Sequence, residues 1–314
     1  MNATWRKRVK ATIQWAVVIA TVAVIFRIGA QHGNELRDVN IRFDSFWVIN
    51  AAVATTAANL LLPLGWRRLI ASFGRFLAAG RAVRLWCLSQ TARYLPTGLV
   101  AVASRLQLAA KEGIPRSLTG ASIAIETLIL FGWALFACAL FVPSAVLPGI
   151  VRLILAATTA LGLAAAPWLI PNLSARLPST GKFAVPTADR RFLAEGVALL
   201  GASVAARAIG TVALAVSFLG ADSGDVSLIV GASYAAVVAG MIGVTPAGLG
   251  VREGVMAAIL VGHFGLADAA AFALLSRVWE FGFEMVFLGA ASWWGRRRSD
   301  DRVIAEFADG DGKL

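Results

Sequence analysis

Cysteine and histidine occur only twice each in this 314-residue chain, and charged residues make up only 15% of it. Cys87 and Cys138 both lie in apolar surroundings, so no disulfide framework is expected. His32 and His263 are far apart and lack ligand-like spacing, so neither a metal nor a cofactor site is expected. No Gly-x-x-x-x-Gly-Lys-Ser/Thr run is present, which argues against an ATP-driven pump. Nor is there the alternating pattern of a membrane β-barrel.

What is abundant is apolar residue. The hydrophobic fraction is 58% and the mean hydropathy +0.74, against the roughly 45–50% apolar content of a soluble domain. Lys and Arg outnumber Asp and Glu by 29 to 18, a formal net charge of +11. The basic residues sit in short clusters between long apolar runs rather than on one amphipathic face. That distribution excludes nucleic acid as the expected partner and matches the accumulation of Lys and Arg in cytoplasmic loops of membrane proteins.

Crossing roughly 30 Å of hydrocarbon takes about 20 residues of helix. Six stretches qualify: 13–30, 44–64, 117–142, 149–170, 192–219 and 267–294. The first follows a basic start (Arg6, Lys7, Arg8, Lys10) but is interrupted by Arg27, so a retained helix is expected rather than a cleaved signal. Two further segments, 82–110 and 227–264, are apolar but broken near the middle by Pro and Gly. The expected fold is therefore an all-α polytopic membrane bundle containing two broken, re-entrant hairpins. The alternative makes both arms of each hairpin full spans and raises the count toward eight.

Charge orients the set. Arg67, Arg68, Arg75, Arg81 and Arg84 crowd one loop, Arg176, Lys182, Arg190 and Arg191 another, and Arg296, Arg297 and Arg298 close the last span. These are expected inside, which puts both termini in the cytoplasm. Trp5, Trp47, Trp66, Trp168, Trp293 and Trp294 fall near span ends and read as interface anchors, whereas Trp279 lies deeper beside charged neighbours.

Pro96-Thr97-Gly98 and Pro246-Ala247-Gly248 stand 150 positions apart. The same offset carries the second span onto the fifth and the third onto the sixth, with matched spans running in opposite directions, as in inverted-repeat transporters. This gives one membrane domain over 1–298, with half-repeats at 1–145 and 146–298, and a polar tail over 299–314. Chance similarity is the competing account, since Pro-x-Gly is common in membrane helices.

A helix broken inside a bilayer must be buried in protein or face a wet cavity, so the breaks are the candidate sites. After Pro246, Gly248 and Gly250, a helix should start near Val251 with an N-terminus able to attract an anion, reinforced by Arg252. Arg93 and Arg105 flank the other break, at Pro96 and Gly98. Ionisable residues inside spans are costly and add Glu126, Arg207, Arg277, Glu280 and Glu284 to the set. The last three fall within a stripe of roughly 60° on one helix, and Glu126 shares a face with Ser122 and Thr119. Two readings stay open: these charges hold a substrate, or they pair with one another and hold helices together. Glu195 and Arg152, near span ends, are expected to snorkel.

The run Thr245–Gly254 (TPAGLGVREG), followed by an apolar segment and Ser276-Arg277, resembles the closing motif of the lysylphosphatidylglycerol synthase transmembrane-region family, also called flippase-like. The earlier Arg93–Gly98 run (RYLPTG), Arg105, the Lys111–Arg116 turn and Glu126 are similar to its first motif. The resemblance covers about Ala51 to Trp294 and points to Pro96, Gly98, Arg105, Glu126, Pro246, Gly248, Gly250 and Glu253. It implies an inner-membrane lipid translocase or lipid-transport accessory protein. The implied partners are membrane lipids and a lipid or glycolipid biosynthesis enzyme.

Only a short polar tail follows Trp294, so the aminoacyl-transferase half found in some members is not expected, and a transporter is expected rather than an enzyme. The expected cargo is an anionic-headgroup phospholipid or a polyprenyl-phosphate-linked glycan. The alternatives are a membrane-embedded transferase using Glu253 or Glu126 as general base, and a non-transporting scaffold for a lipid-synthesis enzyme.

Overall fold

A computed structural model describes residues 44–90, 99–175, 187–243 and 248–310, with side chains described as far as Ala291. Among these residues the chain is all helix. The helices are α1 (Ser45–Ser72), α2 (Ala79–Gln90), α3 (Leu99–Lys111), α4 (Arg116–Phe141), α5 (Gly149–Ser174), α6 (Arg190–Leu219), α7 (Val226–Ile242), α8 (Val251–Phe264) and α9 (Leu266–Gly310). Four of them, α1, α4, α5 and α6, are long and apolar enough to cross a membrane. The span expected at 13–30 lies outside the described residues. The span expected at 267–294 lies within α9, which carries Asp268, Arg277, Glu280 and Glu284 along its first half.

The helix ends follow local chemistry. Asp44 caps α1 by accepting from Phe46 N at 2.9 Å, and Asp189 caps α6 by accepting from Arg191 N at 2.8 Å and Phe192 N at 3.3 Å. Pro115 and Pro148 stand immediately before α4 and α5, where a missing N–H costs no helical bond. Arg152, near the start of α5, donates from Nε to the Ala139 carbonyl at 3.1 Å and from Nη2 to the Leu140 carbonyl at 2.5 Å. It thus satisfies orphan acceptors at the end of α4 rather than snorkelling.

The spine of the bundle is the pair α1 and α6, the most extensive contact between any two helices described. They run antiparallel along their whole length: Asp189 N bonds Ser72 O at 2.7 Å, Ser203 Oγ bonds Ala58 O at 2.9 Å, and Ser217 Oγ bonds Asp44 O at 3.4 Å. Each helix offers a glycine to the other's leucine. A Cβ on Gly65 would lie 2.8 Å from Leu200, and one on Gly196 would lie 2.7 Å from Leu69. Without water to drive burial, such close backbone approach is what holds membrane helices together.

The runs α1–α4 and α6–α9 share one order: a long helix, two short helices separated by a break, then a long helix. Their contacts match as well. α2 touches α3 as α7 touches α8, α3 touches α4 as α8 touches α9, and α2 touches α9 as α7 touches α4. The short helices of the second run pack more extensively than those of the first. α5 lies between the runs against α4 and α6, with Ile150, Leu153, Ile154, Leu161 and Trp168 exposed as a lipid-facing helix requires.

Candidate functional site

Glu126 and Ser122 lie one turn apart on α4, and α3 brings Arg105 against them. Arg105 is 6% exposed and Glu126 4%, so the pair is almost wholly out of solvent. Arg105 Nη1 donates to Glu126 Oε2, and Arg105 Nε donates to Ser89 Oγ on α2 at 3.1 Å. The other carboxylate oxygen of Glu126 accepts from Trp86 Nε1 at 2.9 Å. The guanidinium sits 5.5 Å from the ring centroids of both Trp66 and Trp86. A buried ion pair persists only when further hydrogen bonds and polarisable neighbours offset its desolvation, and here two indoles and a serine do so.

The second cluster links three helices. Arg207 on α6 donates from Nη1 to Glu280 Oε1 on α9 at 2.9 Å. Arg277, one turn earlier on α9, donates from Nη1 to Glu280 Oε2 at 3.1 Å and from Nε to Glu253 Oε1 on α8 at 2.7 Å. Glu253 Oε2 in turn accepts the backbone N–H of Gly250 at 2.6 Å. The result is one chain, Arg207–Glu280–Arg277–Glu253, ending on the backbone at the break before α8. Gly250 has φ 82°, a conformation that favours glycine, and it turns its N–H toward this carboxylate.

The N-terminus of α8, expected to attract an outside anion, therefore already holds one of the chain's own. A helix dipole and free N–H groups are satisfied by any nearby carboxylate, and Glu253 lies three residues into the helix. Arg252 instead lies along α7: a Cβ on Gly240 would fall 2.5 Å from its Cγ and Nε, so Gly240 makes the room it occupies.

Both clusters face one cavity of about 340 Å³, into which Arg105, Arg207, Arg252, Glu126, Glu280 and Glu284 project with apolar residues between them. A smaller space of about 40 Å³ lies beside it, bounded by Glu253, Ser276, Arg277 and Trp279. Arg207, Arg252 and Glu280 border both. The larger volume falls within the roughly 300–1,000 Å³ of small-molecule sites.

Of the residues singled out in the sequence, Arg105, Glu126, Arg207, Arg252, Glu253, Arg277, Glu280 and Glu284 converge on these two spaces, with Gly248 and Gly250 at the adjoining break. Arg93, Pro96, Gly98 and Pro246 lie outside the described residues. Trp66 departs from its expected role as an interface anchor. It is fully buried, donates to Ser122 Oγ at 3.1 Å and flanks Arg105. Trp86, Ser89 and Tyr234 were not singled out. The spacing of Trp86 and Ser89, one turn apart on a short helix before a break, is the signal that could have found the first two. Trp279, left undecided by sequence, donates to Thr55 Oγ1 on α1 at 2.9 Å.

The carboxylates proposed for general-base chemistry are both engaged. Each oxygen of Glu126 and of Glu253 already accepts a hydrogen bond, one of them from arginine. Among the described residues no three of His, Cys, Asp and Glu come together as a metal-binding group.

A family model described as Lysylphosphatidylglycerol synthase TM region matches residues 13–287. No curated protein matches the chain.

Proposed function

From its membership of the lysylphosphatidylglycerol synthase TM-region family, to which this chain belongs, we propose that the protein is a lipid translocase. Its cargo is an amphiphile with an anionic headgroup, a phospholipid or a polyprenyl-phosphate-linked glycan. The membership and the apolar helices make it an integral membrane protein of a lipid-related family. The observation that carries the finer reading is the cavity of about 340 Å³, lined by three arginines and three glutamates between apolar helices. Charges inside a membrane bundle mark substrate or ion paths, and arginine matches phosphate geometry.

The matched order of α1–α4 and α6–α9, their matched contacts and the antiparallel course of α1 and α6 support an inverted repeat whose two broken hairpins are re-entrant. In this reading the headgroup enters between the hairpins and its tails stay in lipid. The basic loops around Arg75 and Arg190 face the cytoplasm, both termini are there, and the membrane is the inner one.

The test is leaflet exchange of fluorescent phospholipid and of a polyprenyl-phosphate sugar in liposomes containing the purified protein. Wild type should exchange at least one of them, and Arg252→Ala should lower that rate by tenfold or more without loss of folded protein. No exchange of either lipid, or an Arg252→Ala rate equal to wild type, would sink the reading.

A further inference from the structure

The two spaces share four lining residues, Arg207, Val237, Arg252 and Glu280. Glu280 stands at the boundary between them. Glu280 holds Arg207 with one oxygen and Arg277 with the other, at 2.9 and 3.1 Å, and so ties α6 to α9 across the boundary. From Arg277 the tie continues through Glu253, at 2.7 Å, to the Gly250 N–H at the break, at 2.6 Å. A group bound in the larger cavity therefore has a direct mechanical link to the second break.

We infer that Glu280 is a ligand-operated gate, opened when a phosphate headgroup in the larger cavity takes Arg207 from it. The inference rests on the headgroup reading above and adds its regulation. Phosphate and carboxylate compete for the same guanidinium face. A phosphodiester matches the single charge and two free oxygens of a carboxylate, and in the cavity it also meets Arg105 and Arg252, which tips the competition for Arg207 toward it. Once Arg207 is taken, Glu280 keeps its ion pair with Arg277 on its own helix and the nearby charge of Arg252 on α8. The tie to α6 is lost, whereas the tie from α9 through Glu253 to the break survives. α8 and α9 then move away from α6 together, and the space of about 40 Å³ widens into a continuation of the larger cavity. Glu280 is thus a positioning residue, acting through Arg207 and Arg277. The chemistry it reads is the phosphate shared by phospholipids and polyprenyl phosphates.

Ser276 borders the smaller space and reports on it. In a background with Cys87 and Cys138 replaced by alanine, Ser276→Cys is labelled with a maleimide in detergent. The probes are dioctanoyl-phosphatidylglycerol and, as the phosphate-free control, dioctanoylglycerol. The phosphate lipid should accelerate labelling by tenfold or more and the control should not, while Glu280→Gln should label at the fast rate with neither lipid present. Arg207→Gln removes the same tie from the other side and gives the same result if Glu280→Gln does not fold. Equal slow labelling in wild type, Glu280→Gln and Arg207→Gln overturns the gate. Fast labelling in the variants without a phosphate effect, in a protein that exchanges lipid between leaflets, overturns the ligand trigger alone. A phosphate effect in a protein that exchanges no lipid keeps the gate and sinks the translocase reading.

Discussion

In the first run the arginine of the buried pair comes from the short helix after the break, Arg105 on α3, and the carboxylate from the long helix, Glu126 on α4. In the second run the signs are exchanged: Glu253 stands on short α8 and Arg277 on long α9. The surroundings differ too. Arg105 and Glu126 are flanked by Trp66, Trp86 and Ser89 and, among the described residues, reach no further charge by an ion pair. Glu253 and Arg277 continue into Glu280 and Arg207 on another helix. A closed pair resists movement, because separating it strands a charge out of water, whereas a chain can exchange partners without stranding any. The contrast suits the first run to holding and places the proposed gate in the second.

The largest test of that contrast is Arg105→Ala, which leaves Glu126 buried with the Trp86 indole as its one hydrogen-bond donor among the described residues. A loss of about 3–5 kcal/mol is expected, the cost of stranding one partner of a buried pair, read as thermal stability in detergent. Replacing both partners, Arg105→Met with Glu126→Leu, should recover most of it. Equal stability of the single and double variants would remove the claim that the first pair is a structural lock.

Next in size is the spine common to both runs. Gly196→Leu and Gly65→Leu each force bulk against a leucine across α1 and α6, and each should cost about 1–3 kcal/mol. Similar losses at the two sites would support the matched halves, and a loss at one only would break the match.

Arg277→Ala should cost less than Arg105→Ala, about 1–3 kcal/mol, because Glu280 keeps Arg207 and Glu253 keeps the Gly250 N–H. A loss as large as that of Arg105→Ala would erase the difference drawn between lock and chain. Smallest is Trp86→Phe, which removes a single donor to Glu126 and should cost about 0.6 kcal/mol, the average for hydrogen bonds within membrane bundles, and at most about 1.7. A value near zero would assign the hold on Glu126 to Arg105 alone.

Long apolar runs and Pro/Gly breaks placed most helices from sequence, including the start of α8 at Val251, because hydrophobicity and backbone chemistry are local. The end of α1 was not legible. Apolarity stops near residue 64, yet the helix continues to Ser72, since Arg67 finds the Leu77 carbonyl at 2.6 Å and Arg68 finds Glu195 at 3.1 Å. Trp66 falls in that extension, which is why it read as an anchor and is instead core. The stripe of Arg277, Glu280 and Glu284 was visible by helical spacing, but its partners were not. Arg207 and Glu253 are 73 and 24 residues from the groups they bind, and only packing brings them there. Glu253 and Gly250, three apart, were both in view, yet the bond between them, which sets a carboxylate of the chain's own at that helix start, was not foreseen.

α5 looks like the least occupied helix of the bundle, with neither a break nor a residue in either cavity. Its contribution is parity. Each matched run contains an even number of helix directions, whether its short helices dip and return or cross, so two such runs joined end to end would enter the bilayer from the same face. In the inverted repeat proposed above, one interposed crossing turns the second run over. In that arrangement α5 decides whether the two runs lie the same way up or face one another across the bilayer, and excising it would change their relative orientation while leaving every charged residue of the two cavities in place.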